Sequence, residues 1–265
     1  MRKFPATIVI AIACAWSAAA GAQVYPSKPV RIVMGFPSGS NIDTLTRPVA
    51  QHMSEILGVQ VVADNRPGAT GMIGNELVAK SPPDGYTLLA VPSTSLTSMP
   101  HLRAKMPYDS LRDFDAVTQL AQWSSVLIAN PRVPAKTVKE LIALARARPG
   151  VLTFASSGVG SGFHLSGELF KLMARVDMVH VPYKGGNLAL TDIMGGRVDL
   201  MFYTLSVALP HIKSGQLRLI AVSGSKRNRL FPDVPTVSES GLPGYETSGW
   251  AGVVAPAKMP TDIID

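Results

Sequence analysis

Only one cysteine occurs in the chain, Cys14, and it lies inside an N-terminal apolar run. Beyond that run there is no thiol, which excludes both a disulfide framework and a cysteine nucleophile and leaves stability to packing. Charge is sparse as well: 16% of residues are charged against 46% hydrophobic, a balance that excludes a disordered chain. The histidines, His52, His101, His164, His180 and His211, are widely separated and form no H-E-x-x-H, so no metal centre is expected. Gly-x-x-x-x-Gly-Lys-Ser/Thr is missing, and Gly158 and Gly160 lack the third glycine of G-x-G-x-x-G, so no nucleotide cofactor is expected either. Lys and Arg outnumber Asp and Glu, 25 to 18, but they are spread along the chain. The one tight basic group, Lys226-Arg227-Asn228-Arg229, reads as a solvated loop, without the aromatic interleaving or basic stripe of a nucleic-acid surface.

What is present starts at the N-terminus. Arg2 and Lys3 precede an apolar run over residues 8–20, and Ala20-Gly21-Ala22 places small residues three and one before a cut ahead of Gln23. Residues 1–22 are therefore expected to be a cleaved secretory signal, and the mature protein to be exported. The run is shorter than the roughly 20 residues a bilayer core requires, and no later stretch is long and apolar enough to span one. Ala11-Ile12-Ala13 before Cys14 is a poor lipid-attachment sequence.

Apolar runs then alternate with helical patterns, which predicts a parallel α/β construction. Strands are expected at 30–36, 59–62, 87–91, 116–118, 126–129, 152–155, 178–181, 198–202, 217–222 and 248–254. Helices are expected around 45–56, 75–80, 137–148, 164–174, 187–195 and 205–213. Thr137 and Glu140 have the spacing of a capping box, and Pro149-Gly150 ends that helix. Residues 232–243 form a proline-rich connector, and the last strand returns the chain to its first half.

Two loops carry the strongest chemical signal. Ser156-Ser157-Gly158-Val159-Gly160-Ser161-Gly162-Phe163-His164 precedes a helix whose apolar face is Leu165, Leu169, Leu172 and Met173. Small residues ahead of a helix leave backbone N–H groups free, and the positive end of the helix favours an anion there. Pro37-Ser38-Gly39-Ser40-Asn41 stands in the same relation to a helix faced by Leu45, Val49, Met53 and Ile56. Glycine and serine are also ordinary turn and cap residues. Two such loops, one in each half, imply two lobes closing on one anionic ligand.

Further motifs point to a family. Tyr25-Pro26-Ser27-Lys28-Pro29-Val30-Arg31-Ile32-Val33, Asn65-Arg66-Pro67-Gly68-Ala69 and Pro83-Asp84-Gly85-Tyr86-Thr87-Leu88-Leu89 are followed by Val181-Pro182-Tyr183-Lys184-Gly185-Gly186 and Pro232-Asp233-Val234-Pro235-Thr236. From about Tyr25 to Asp265 the chain resembles the solute receptors of tripartite tricarboxylate transporters, the TctC or Bug-type periplasmic binding proteins. The resemblance implies two Rossmann-like lobes in a flytrap architecture, a small carboxylate in the cleft, no catalysis, a monomer, and delivery to a membrane permease. Lobe 1 is expected at 23–124 plus 246–265 and lobe 2 at 125–245. Family members continue past the region matching 258–265, so lobe 1 is expected to be truncated.

The resemblance places Phe36, Ser38, Gly39, Ser40, Asn41 and Asp43 on one side of the ligand and Ser157, Gly158, Gly160, Ser161 and His164 on the other. Asp43 is expected to cap its helix, and the resemblance adds a water bridging it to ligand. Two roles are open to His164, donation to a carboxylate or a bond to its own loop. Tyr203-Thr204 stand where many relatives carry Asp-Asn, removing an acid and adding an aromatic face, so ligands with an ammonium group should be less favoured. Tyr203 either touches such a ligand or packs at the cleft edge. A serine hydrolase is the rival reading, but Gly158-Val159-Gly160-Ser161-Gly162 does not have the G-x-S-x-G spacing. A receptor presenting its carboxylate to a sensor protein is a further alternative that sequence does not separate from transport.

Overall fold

The computed structural model describes residues 25–264. The expected signal at 1–22, with Cys14, lies outside the described residues. No helix among those described is long and apolar enough to cross a membrane.

Strands β1 (Val30–Met34), β2 (Val61–Asn65) and β3 (Thr87–Pro92) form a parallel group with β1 in the centre. Helix α1 (Asn41–Leu57) links β1 to β2, and α2 (Met72–Ala79), entered through a 3-10 turn at Ala69–Gly71, links β2 to β3. α1 starts at Ser40, whose hydroxyl accepts from the Asp43 amide, and stops at Gly58 in the left-handed region (φ 67°), where a side chain would be strained. Short helices α3 (Ser93–Thr97) and α4 (Met99–Leu102) follow β3. Their serine- and threonine-rich sequence carries no helical apolar period, and the sequence reading did not anticipate them.

β4 (Phe114–Ala129) is one strand of 16 residues where two short strands were expected. The polar residues Gln119, Gln122, Ser124 and Ser125 interrupt its apolar pattern because the middle of the strand changes surroundings. Up to Ser124 it pairs with β9 (Ser248–Pro256), and from Ser125 it pairs with β7 (Leu200–Thr204) and β8 (Arg218–Val222). β9 also lies antiparallel to β3, so the first sheet reads β2-β1-β3-β9-β4.

The second sheet is built from β8, the end of β4, β7, β5 (Thr153–Ser156) and β6 (Val179–Pro182). Its helices are α5 (Val138–Ala147), α6 (Gly162–Ala174), α7 (Gly186–Met194) and α8 (Leu205–Lys213), and α9 (Thr261–Ile264) ends the described chain. Observed bounds fall close to the expected ones. Apart from β4, the strand that moves most is β2, expected at 59–62 and observed at Val61–Asn65, because its pairing with β1 runs through to Asn65.

Both sheets are apolar on two faces. Val30, Ile32 and Met34 pack into one core while Val33 joins another, and Leu127 and Ala129 are separated in the same way from Val126 and Ile128. That alternation is the two-residue period of a strand covered by helices on both sides. Where β1 ends, the backbone of Gly35 is pressed against the start of α2. A Cβ on Gly35 would lie 2.5 Å from the Gly71 backbone, which has no flexible side chain to yield. Gly35→Ala is therefore expected to lower stability by about 1–3 kcal/mol, measured as a fall in the urea midpoint.

Candidate functional site

A cleft opens where the two sheets meet, and both halves of the molecule line it. Phe36, Ser40, Asn41, Ile42, Ser93 and Thr94 come from the first half, and Ser157, Ser161, Gly162, Phe163, Gly186 and Tyr203 from the second, with Trp123 and Ser125 on the shared strand β4. The space inside is about 60 Å³, room for a few waters or a small ligand. No Asp, Glu, Lys, Arg or His lines it. Aromatic rings and hydroxyls make up most of the side-chain wall.

The starts of α1, α3, α6 and α7 all reach this space. At α1 the Ser40 amide bonds Pro37, the Asp43 amide bonds the Ser40 hydroxyl and the Thr44 amide bonds the Ser40 carbonyl. Among the described residues no acceptor meets the amides of Asn41 and Ile42. α6 repeats the scheme: the Ser161 amide bonds Gly158, His164 bonds the Ser161 hydroxyl and Leu165 bonds the Ser161 carbonyl, leaving the amides of Gly162 and Phe163. Each helix thus presents two unpaired donors at its positive end to a cleft without a competing charge.

The loop glycines stand behind these donors. The Gly39 amide donates to Asp43 Oδ2 (2.8 Å), the Gly158 amide to Ser156 Oγ (3.1 Å) and the Gly160 amide to His164 Nδ1 (3.2 Å). All three glycines have positive φ, 76°, 127° and 82°, so they form the turns that aim the helices. The exposed Ser38 also reaches this carboxylate, its hydroxyl donating to Asp43 Oδ2 at 3.4 Å. Of the residues singled out in the sequence, Phe36, Ser40, Asn41, Ser157, Ser161 and Tyr203 meet in the cleft. Ser38, Gly39, Asp43, Gly158, Gly160, His164 and Thr204 do not line it.

Asp43 is a buried clamp. Its carboxylate accepts from Arg47 Nε (2.9 Å), Asn65 Nδ2 (2.9 Å) and the Gly39 amide, and pairs with Arg47 Nη2 at 2.8 Å. Burial opposes its charge, but the bonds from Arg47, Gly39 and Asn65 outweigh burial and hold its pKa below the ordinary carboxylate value. Asn65 Nδ2 also donates to the Phe36 carbonyl (3.0 Å), tying β2 to the same loop.

His164 turns away from the cleft and accepts from its own loop. Its ring lies 4.1 Å from the ring of His180, which in turn meets Ser156 Oγ through Nε2 at 2.7 Å. Tyr203 is 1% exposed, packs edge-on against Phe163 at 4.9 Å, and donates to Asn187 Oδ1 at 3.1 Å. Burial pushes its phenol well above the ordinary value, so it is a neutral donor. Asn187 Nδ2 reaches across to the Gly39 carbonyl (2.8 Å), and Thr70 Oγ1 donates to the Val159 carbonyl (3.2 Å), so hydrogen bonds join the two halves. Thr204, next along β7, faces the opposite side of the sheet.

Sequence reasoning missed the start of α7 and the walls Trp123 and Phe163. Gly185-Gly186 ahead of an amphipathic segment carried the same signal as the two loops that were singled out. Trp123 carried none, because its place depends on where β4 changes partners.

Two sheets sharing one long strand and closing over a cleft of this kind define a two-lobed solute-binding protein of the periplasmic class. The chain belongs to the tripartite tricarboxylate transporter family receptors, which it matches over residues 45–265. It is thus a solute receptor and not an enzyme. It is 38% identical to Protein BugT of Bordetella pertussis over 266 residues, covering 100% of this chain and 82% of that one. The solved structure of R. palustris Rpa4515 with adipate superposes with a TM-score of 0.88 at 38% identity, covering 91% of this chain and 80% of the other. MatC (Rpa3494) from Rhodopseudomonas palustris with bound malate gives 0.86 at 30% identity, covering 91% and 82%.

The histidine pair carries a pH signature. Burial chiefly, and then the neighbouring imidazole, pushes His180 down to about 4, and burial also lowers His164, with Glu168 opposing and Lys171 assisting in both. The folded state keeps both rings neutral where the unfolded chain, with histidine near pKa 6.5, takes up protons. Their contribution to stability is therefore full above about pH 7.5 and is lost as pH falls through 6.5 toward 4. Urea midpoints between about pH 7.5 and 5 should fall, and His180→Gln should flatten that slope.

Proposed function

We propose that this receptor captures a small organic carboxylate in the cleft between its halves and delivers it, in the periplasm, to the permease of a tripartite transporter. The observation that carries the reading is the facing pair of helix starts, with the unpaired amides of Asn41 and Ile42 on one side and of Gly162 and Phe163 on the other. An anion there gains charge-assisted bonds without requiring a buried cation. The adipate and malate held by two similar structures support the same ligand class. Our division of the chain places 23–124 plus 246–265 in one lobe and 125–245 in the other, and the exchange of partners by β4 between Ser124 and Ser125 supports that boundary.

The rest of the cleft sets the ligand body. Phe36, Trp123, Phe163 and Tyr203 offer aromatic walls, and no lining acid is present to pair with an ammonium group. A carboxylate with an apolar or aromatic body fits this lining better than an amino acid. Ser38, Gly39, Asp43, Gly158, Gly160 and His164 act behind the donors, holding their geometry.

A thermal-shift screen of carboxylates tests the reading. A true ligand at about a hundred times its dissociation constant should stabilise the chain by about 2.7 kcal/mol, and amino acids should give little. Asn41→Pro and Gly162→Pro each remove one unpaired amide at the first helical position, where proline is tolerated. The preceding residues already have the extended backbone that proline requires, Ser40 at ψ 165° and Ser161 at ψ 157°. Each variant should fold normally and bind about 10- to 100-fold more weakly, the loss of one hydrogen bond to a charged group. Unchanged affinity in both would rule out the amide mechanism.

A further inference from the structure

A second recess of about 420 Å³ shares only Trp123 with the ligand cleft. Adjacent residues of a strand face opposite sides, so while Tyr203 lines the cleft, Thr204 lines this recess. Its other walls include Ser206 at the start of α8 and the basic loop with Lys226, Arg227 and Arg229.

Three features meet there. Thr204 is the N-cap of the nine-residue α8 but makes no side-chain capping bond, so the helix start is unserved. Its hydroxyl is buried without a partner in a residue only 9% exposed, which is unfavourable unless a turn about χ1, exchanging hydroxyl and methyl, brings it to an acceptor in the recess. The cations opposite are under-compensated: Arg227 Nε is paired with Glu239 at 3.0 Å, while among the described residues Lys226 and Arg229 have no acidic partner. A solvated loop accounts for the exposed lysine and arginines but not for a buried unpaired hydroxyl beside them.

We propose that this recess binds a small tetrahedral oxyanion of the phosphate or sulfate class. The helix start and the Thr204 hydroxyl contribute donors from the floor, and Lys226 and Arg229 contribute charge from the rim. The site is concave and its polar floor is buried, which suits a free ion better than the acidic surface of a protein partner.

The test titrates the purified chain with sulfate against chloride at matched ionic strength, reading Tm, and follows phosphate by phosphorus NMR line broadening. A saturable rise of roughly 5 °C is expected at about fifty times the dissociation constant. The double variant Lys226→Gln/Arg229→Gln should lose that rise while keeping its response to a cleft carboxylate. Thr204→Val should be more stable than the parent without the ion, because the orphan hydroxyl is gone, and should bind the ion at least fivefold more weakly. Asn41→Pro should leave the oxyanion response intact, which separates failure of this site from failure of the carboxylate cleft. A rise that never saturates and is equal in all variants is general salting and overturns the proposal. So does the absence of phosphate broadening, or binding of an acidic partner protein without any response to either ion.

Discussion

An amide at a helix start that meets no acceptor destabilises a fold unless water or a ligand reaches it, and this molecule keeps such amides at two helix starts facing one space. Much of the neighbouring structure keeps them open. Ser40 and Ser161 cap the third amide of their helices, so neither serine swings round to satisfy the first two. Asp43 fastens one loop through Arg47, Asn65 and Gly39, and His164 fastens the other through Gly160. The charged groups therefore sit behind the amides and set their direction, while the surface toward the cleft stays neutral.

The strand β4 is the second constraint. A strand pairing with β9 along most of its length and with β7 and β8 at its end belongs to both sheets, so its orientation links the two halves. Trp123 and Ser125 stand on either side of the change of partner and line the cleft. The bonds from Asn187 to Gly39 and from Thr70 to Val159 are few, polar and near the surface. Contacts of that kind hold the halves together only weakly, since breaking them returns the groups to water at small net cost.

Tyr203 shapes the cleft wall through the residues packed against it. Its ring occupies the space a side chain on residue 186 would need, with a Cβ on Gly186 falling 2.1 Å from the Tyr203 ring. Glycine there and tyrosine here are thus one packing solution. Asn187, holding the Tyr203 hydroxyl with one end and Gly39 with the other, couples that wall to the opposite loop.

The sequence by itself determined the alternation of strands and helices, because apolar period and flanking glycine and proline are local properties of the chain. It also determined which loops precede helices, since Ser40, Ser161 and the glycines around them are cap and turn residues whatever surrounds them. Tertiary structure decided the rest. Two short apolar segments became the single strand β4, because its polar middle is satisfied by pairing that no local pattern announces. Which amides remain unpaired was decided by the inward turn of Gly39, Gly158 and Gly160, whose own amides are used by Asp43, Ser156 and His164. His164 and Asp43 brace their own loops while Trp123 and Gly186 line the cleft, because the side of a backbone that faces the cleft is set by distant partners and not by neighbours in the chain.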